Sequence, residues 1–201
     1  MSNLILNNQI VADDWTLVQL PKVEQEVRMQ AGKVVMFKLT GENTVSDEQI
    51  ANTVVPATGK VLLPMSVYVA RKNEFAGRLA NQEVGIWLAT HEVIDNLVAV
   101  EADLNVFPLI AVHVERFADG RIFSIGNLLR TRYHFQNTLR AFGDVLRDQL
   151  FFLKRSGFNS YLVRADRNAE EALQSLKDFT QPYQGAVDNS QPVWRRVSRS
   201  I

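Results

Sequence analysis

Apolar and polar positions alternate along this chain in two kinds of block, short β-branched runs and longer amphipathic stretches. Near the start, Ile5 and Leu6, then Asn7 and Asn8, then Ile10 and Val11 read as a small hairpin with a polar turn at its tip. Asp13, Asp14 and Trp15 follow, and Pro21 closes this N-terminal arm, residues 1–20. Residues 34–39 are a β-branched run. Residues 46–52 predict a polar helix, with Ser46 as its cap and Glu48 in the first turn, where a negative charge suits the helix dipole. Residues 61–69 are strand-like, but Pro64 cannot donate to a ladder, so an edge strand or a bulge is expected there. A helix near residues 71–80 comes next.

The second half is more regular. Strands are expected at 84–88, 108–114, 138–142 and 160–164, and helices at 92–100, 124–133, 144–156 and 169–179. Residues 108–114 (Pro-Leu-Ile-Ala-Val-His-Val) form an unbroken apolar run of the kind found in buried parallel sheets. One helix in each gap between strands gives right-handed crossovers and parallel neighbours. The fold class is therefore α/β, a mainly parallel sheet with covering helices. An eight-unit barrel typically needs about 250 residues, so an open sheet is favoured over a partial barrel.

The helix over 144–156 is the clearest single element. At 100° per residue, Val145, Leu146, Gln149, Leu150, Phe152, Leu153 and Ser156 share one broad stripe, and Gly157 stops the helix. The other side carries Asp144, Arg147, Asp148, Phe151, Lys154 and Arg155. Phe151 is thus an aromatic on a charged face, either covered by another part of the chain or marking an interface. Beyond Phe179 periodicity is lost, and residues 181–201 read as a flexible tail behind a single domain of residues 1–180.

Composition narrows the chemistry. The chain has 201 residues, 46% of them hydrophobic and 22% charged, and its 22 basic residues equal its 22 acidic ones. Such a balance recommends neither nucleic acid nor membrane as a partner. With no cysteine there is no disulfide, thiolate nucleophile or cysteine-ligated cluster. The N-terminus has no basic region followed by a long apolar core, so the cytoplasm is the expected compartment.

Familiar motifs fail on inspection. Thr58-Gly59-Lys60 lacks the earlier glycine of a phosphate loop, and Val61 stands where magnesium needs a hydroxyl. There is no dinucleotide fingerprint and no nucleophile elbow. His91, His113 and His134 are the only histidines, without ligand spacing, so no metal and no cofactor is assigned.

One feature survives. In parallel α/β sheets ligands bind outside the carboxyl ends of the strands, and the loops there carry unusual charge. Residues 115–121 hold Glu115, Arg116, Asp119 and Arg121 just before Ser124. Gly143 and Asp144 precede Arg147, and Arg164 precedes Asp166 and Arg167. Residues 120–165 hold eight basic side chains against Asp144 and Asp148, a surplus of six positive charges. Nearly all are arginine, whose planar fork grips oxyanions and carboxylates. The candidate anion or partner site is Arg121, Ser124, Arg130, Arg147, Arg155 and Arg164. The plain alternative is a set of solvated helix faces with ion pairs such as Asp144 with Arg147.

The run Leu139-Arg140-Ala141-x-Gly143-Asp144-Val145-Leu146-Arg147-Asp148-Gln149-Leu150 resembles the uncharacterised bacterial family numbered 934 among domains of unknown function. Asp119-Gly120-Arg121-x-x-Ser124, Leu128-Leu129-Arg130-x-Arg132-Tyr133 and Arg155-x-Gly157-Phe158 fit it too, as do Gly85-Ile86-Trp87-Leu88, residues 108–112 and Tyr183-Gln184. The likeness runs over roughly residues 86–184, with a weaker echo at Asp13-Asp14-Trp15. Members are commonly labelled oxidoreductases of sulfite reduction, because they are encoded beside the sulfite reductase hemoprotein. This chain departs from the pattern at Ser156, often a cysteine, and at Asn127, often an arginine; the first departure argues against thiol chemistry as the shared function.

The resemblance implies an accessory protein of assimilatory sulfite reduction. It would dock on the reductase hemoprotein or its electron donor, or hold a small oxyanion, through the arginine-rich face. A flavin bound without a fingerprint and a homo-oligomer both stay open. The alternative is a small enzyme acting on an anionic metabolite, with Asp119, Asp144 or His113 as acid or base.

Overall fold

Residues 3–21 and 45–196 are described in a computed structural model. They form an eight-stranded sheet, mostly parallel and open, in the order β2-β1-β8-β7-β6-β5-β4-β3. The expected hairpin is β1 (Leu4–Leu6) and β2 (Gln9–Val11), paired antiparallel. Its tip, Asn7 and Asn8, adopts φ of 47° and 64°, a left-handed pair that asparagine tolerates better than most residues. β3 (Trp15–Leu17), β4 (Lys60–Pro64), β5 (Val84–Ala89), β6 (Leu109–Val114), β7 (Thr138–Gly143) and β8 (Ser160–Leu162) run parallel to one another. Three strands of the regular second half, β6, β7 and β8, are neighbours as expected, with Ala111 opposite Arg140 and Arg140 opposite Ser160.

Several boundaries differ from the sequence reading. β4 is an interior strand, not an edge or a bulge, because Pro64 is its last residue and its missing N–H falls where the ladder ends. The chain turns there into α2 (Met65–Arg71), continues through a 3₁₀ turn (Lys72–Phe75) and resumes as α3 (Ala76–Ala80). The single helix expected near 71–80 is thus three pieces. The first helix, α1 (Asp47–Ala51), has the Ser46 cap, whose Oγ accepts the Gln49 N–H at 3.2 Å. The remaining helices are α4 (Asp95–Val98), α5 (Arg121–Thr131), α6 (Arg147–Arg155), α7 (Ala169–Ser175) and α8 (Val193–Arg196). The β-branched run at 34–39 lies outside the described residues.

The wheel drawn for α6 is rotated. Leu150 and Leu153 are fully buried, but Phe151 is buried and Phe152 is 55% exposed. Phe151 lies under Phe179, with ring centroids 4.8 Å apart, and Arg155 sits over its face. Phe151 is therefore covered by the chain that follows α7, and α7 packs alongside α6. Gly157 ends the helix at φ 100°, as its place in the sequence implies. Residues 184–188 return to the same helix end, where Val187 donates its N–H to the Arg155 carbonyl at 3.0 Å.

The main core joins one face of the sheet to the helices. Val61, Leu63, Ile86, Leu88, Ile110, Val112, Leu139 and Ala141 meet Tyr68, Leu97, Ile122, Leu129, Leu150 and Leu153 there. The other face holds a smaller cluster of Leu62, Leu109, Ala111 and Phe142, with Trp15, Trp87 and Leu162 against it. Eight strands spaced about 4.8 Å apart in a flat sheet would separate its outermost two by roughly 34 Å. Here those two strands, β2 and β3, are joined through Ala12, Asp13 and Asp14 alone, a link that reaches at most about 14 Å. The sheet must therefore curl until its edges approach, with the helices outside and the smaller cluster inside.

Candidate functional site

Every parallel crossover in the second half delivers a loop to the same rim, the carboxyl ends of β5 to β8. Hydrogen bonds lace these loops together. Asp144, just past β7, accepts the Phe117 N–H at 2.9 Å and the Arg164 guanidinium at 2.7 Å. It thereby joins the loops after β6, β7 and β8. Gln149 in the first turn of α6 accepts the Leu146 N–H at 3.2 Å and donates to the Phe117 carbonyl at 2.9 Å. The Thr90 hydroxyl, just past β5, donates to Asp119. Gly143 makes the turn possible: at φ 99°, a region L side chains rarely adopt, it lies against the Val114 carbonyl and the His113 ring, where a Cβ would collide with both.

Of the candidate residues, Arg121, Arg147 and Arg164 stand on this rim, with Asp119, Asp144 and His113. Two of the three arginines are taken up by carboxylates. Arg121 grips Asp119 through Nε at 2.9 Å and a terminal nitrogen at 2.7 Å, which holds the Asp119 carboxyl far below its usual range. Arg164 bridges Asp144 and, at 2.6 Å, Asp166. Arg147 differs: it is exposed at the start of α6, and its guanidinium has no partner among the described residues. Ser124 is exposed one turn along α5.

Arg130 and Arg155 belong elsewhere. Arg130 donates to the carbonyls of Phe135, Asn137 and Gly157, which lie before β7 and β8, at the amino ends of those strands. Arg155, at the far end of α6, binds Asp188 and the Gln184 carbonyl. The pairing proposed between Asp144 and Arg147 is replaced by Asp144 with Arg164, which comes from the next strand.

His113 is the penultimate residue of β6, on the inner face. Its ring centroid lies 4.9 Å from Phe142 and 5.9 Å from Trp87, and burial pushes its pKa below the ordinary value. The imidazole is therefore uncharged at neutral pH. Glu92 is a rim residue that sequence reasoning passed over. It accepts the Ala89 N–H at 2.7 Å at the end of β5, and burial raises its pKa. Its place in the loop that follows a strand was a sequence signal for the rim. Among the described residues no group of three or more histidines and acids is gathered as metal ligands would be, and no helix is long and apolar enough to cross a membrane.

Fold and rim together define an α/β protein with a curled parallel sheet and a charged strand-end rim cross-linked by side chains. The family model described as "Bacterial protein of unknown function (DUF934)" matches residues 85–194, more than half of the chain, and the chain belongs to that family. The match takes in all four rim loops. No curated protein and no solved structure matches the chain.

Proposed function

We propose that this protein is a cytoplasmic accessory protein of assimilatory sulfite reduction, and that its strand-end rim binds a small oxyanion or an acidic surface of the reductase or its electron donor. The observation that carries the reading is Arg147. Its neighbours Arg121 and Arg164 are neutralised by Asp119, Asp144 and Asp166, whereas Arg147 stands exposed with no partner among the described residues. An uncommitted guanidinium on a rim fixed by hydrogen bonds can accept a carboxylate or oxyanion bidentately with little reorganisation. Sulfate, sulfite and phosphate should each raise the melting temperature beyond chloride at equal ionic strength. Arg147→Ala should abolish that excess; an unchanged response would refute the site. Co-purification from cells starved of reduced sulfur tests the partner, and recovery without sulfite reductase would count against docking.

A second reading, a small enzyme in the strand-end cleft, is favoured by one observation. His113 is kept neutral near the end of β6 beside Trp87 and Phe142, the state a general base requires. Asp119 and Asp144 fit this role less well, since each is already paired with an arginine. A yellow colour in the pure protein would support a bound flavin and move the balance toward redox chemistry.

A further inference from the structure

The curl brings β2 and β3 near one another, yet each is an edge of the sheet and no ladder joins them. Beyond the three-residue link itself, closure there rests on side chains. Arg140 points into the curl from the middle of β7 with its side chain only 4% exposed, and one terminal nitrogen reaches both oxygens of Asp13 at 3.1 and 3.0 Å. Its Nε donates to the Ser160 hydroxyl at 3.3 Å. Trp87 donates its indole N–H to the Val18 carbonyl at 2.8 Å, and Trp15 packs against the inner cluster. Residues 12–18 thus lie along the seam, held by the Asp13–Arg140 pair, an exposed Asp14–Lys60 pair at 2.6 Å, one indole bond and the short strand β3.

A buried guanidinium is an expensive choice at this position. Desolvating an ion is costly, and well-packed apolar residues in place of such a pair are often neutral or stabilising. Two neighbours of Arg140 on this face, Ala111 and Phe142, are apolar, and Ser160 supplies only a hydroxyl acceptor. What the charge supplies, and an apolar side chain would not, is a directional hold on Asp13, 127 positions away in sequence.

We propose that the Asp13–Arg140 pair is the anchor of a strap, residues 12–18, that closes the seam of the curled sheet and opens as a unit. Opening uncovers the inner face, with the Trp87, His113 and Phe142 rings, while the helix-packed side stays folded. This rests on the seam rather than on the rim, so its failure leaves the rim proposal untouched.

Hydrogen exchange of the full chain, read by mass spectrometry, tests it. Asp13→Asn and Arg140→Met should each speed exchange of residues 12–18 at least tenfold, with β5, β6 and β7 unchanged. The double variant should match either single one, because the two residues act through one contact. Equal acceleration across the whole sheet, or additive effects of the two substitutions, would overturn the strap. If a variant fails to fold, the native chain in mild urea gives the same answer. The strap amides should then exchange through an opening of lower free energy than the central strands, and coincidence with global unfolding refutes the proposal.

Discussion

Gln149 donates its side-chain amide to the Phe117 carbonyl at 2.9 Å, tying the first turn of α6 to the loop after β6. The same side chain accepts the Leu146 N–H, so one buried amide serves a helix start and a neighbouring loop together. Gln149→Ala should cost about 2–3 kcal/mol, since two backbone groups lose their partner in a protected place. Gln149→Glu separates the two bonds, because a carboxylate still accepts from Leu146 but no longer donates to Phe117. Both variants should speed hydrogen exchange in residues 115–120. If only the alanine variant does so, the loop tether is unimportant.

The faces of α6 are set by what packs on it. Leu150→Ala and Leu153→Ala should each cost about 2–5 kcal/mol, the range for emptied core sites. Phe151→Ala should approach that range, because Phe179 and Arg155 cover the ring. Phe152→Ala, at a residue 55% exposed, should stay within about 1 kcal/mol. Denaturant midpoints at constant m-value measure all four, and a larger loss at Phe152 than at Phe151 would contradict the packing.

Glu92 has a pH signature of definite sign. Burial raises its folded-state pKa above the ordinary 4.5, so ionising the carboxyl is harder in the folded protein than in the unfolded chain. Its contribution is most favourable below the unfolded pKa and is lost as pH rises through the folded one. Glu92→Gln keeps an acceptor for the Ala89 N–H and removes the charge. The variant should melt higher than the native protein at pH 7, with the gap closing toward about pH 4. A gap that widens on acidification would mean that the ionised form is the stabilised one.

How much of this was legible in the sequence depended on the range of the forces involved. β6, β7 and β8 were readable because apolar runs alternate with single helices, and the hairpin because Asn7 and Asn8 tolerate left-handed backbone. β3 was not readable. Three residues, Trp15–Leu17, become a strand only through their register against Lys60, Val61 and Leu62, and no local pattern announces that. Pro64 misled because a proline inside an apparent run excludes a central strand, whereas one at the end of the run does not. Phe151 and Phe152 were exchanged because a helical wheel cannot know that residue 179 returns to cover Phe151. The arginines are alike in sequence, and only the partners they meet separate Arg121 and Arg164 at the rim from Arg130, Arg140 and Arg155.

That separation gives the last prediction. Arg130 donates Nε to the Gly157 carbonyl at 2.8 Å and one terminal nitrogen to the Phe135 and Asn137 carbonyls at 2.5 and 2.9 Å. Its guanidinium also lies 5.3 Å from the centroid of the Phe135 ring. Burial pulls its pKa below the usual arginine value, yet it stays charged at any working pH. A lysine has a single nitrogen and no planar fork, so it could reach one of these carbonyls and would leave the others without a donor. Arg130→Lys should therefore cost about 2–4 kcal/mol, a carbonyl left unsatisfied costing about 1–3 kcal/mol. The loss should come with no change in the excess melting-temperature shift that sulfate gives over chloride, because Arg130 lies at the amino ends of the strands and Arg147 at the carboxyl ends. Loss of the sulfate response in Arg130→Lys, at unchanged stability, would make Arg130 an anion ligand and shift the site to the opposite end of the sheet.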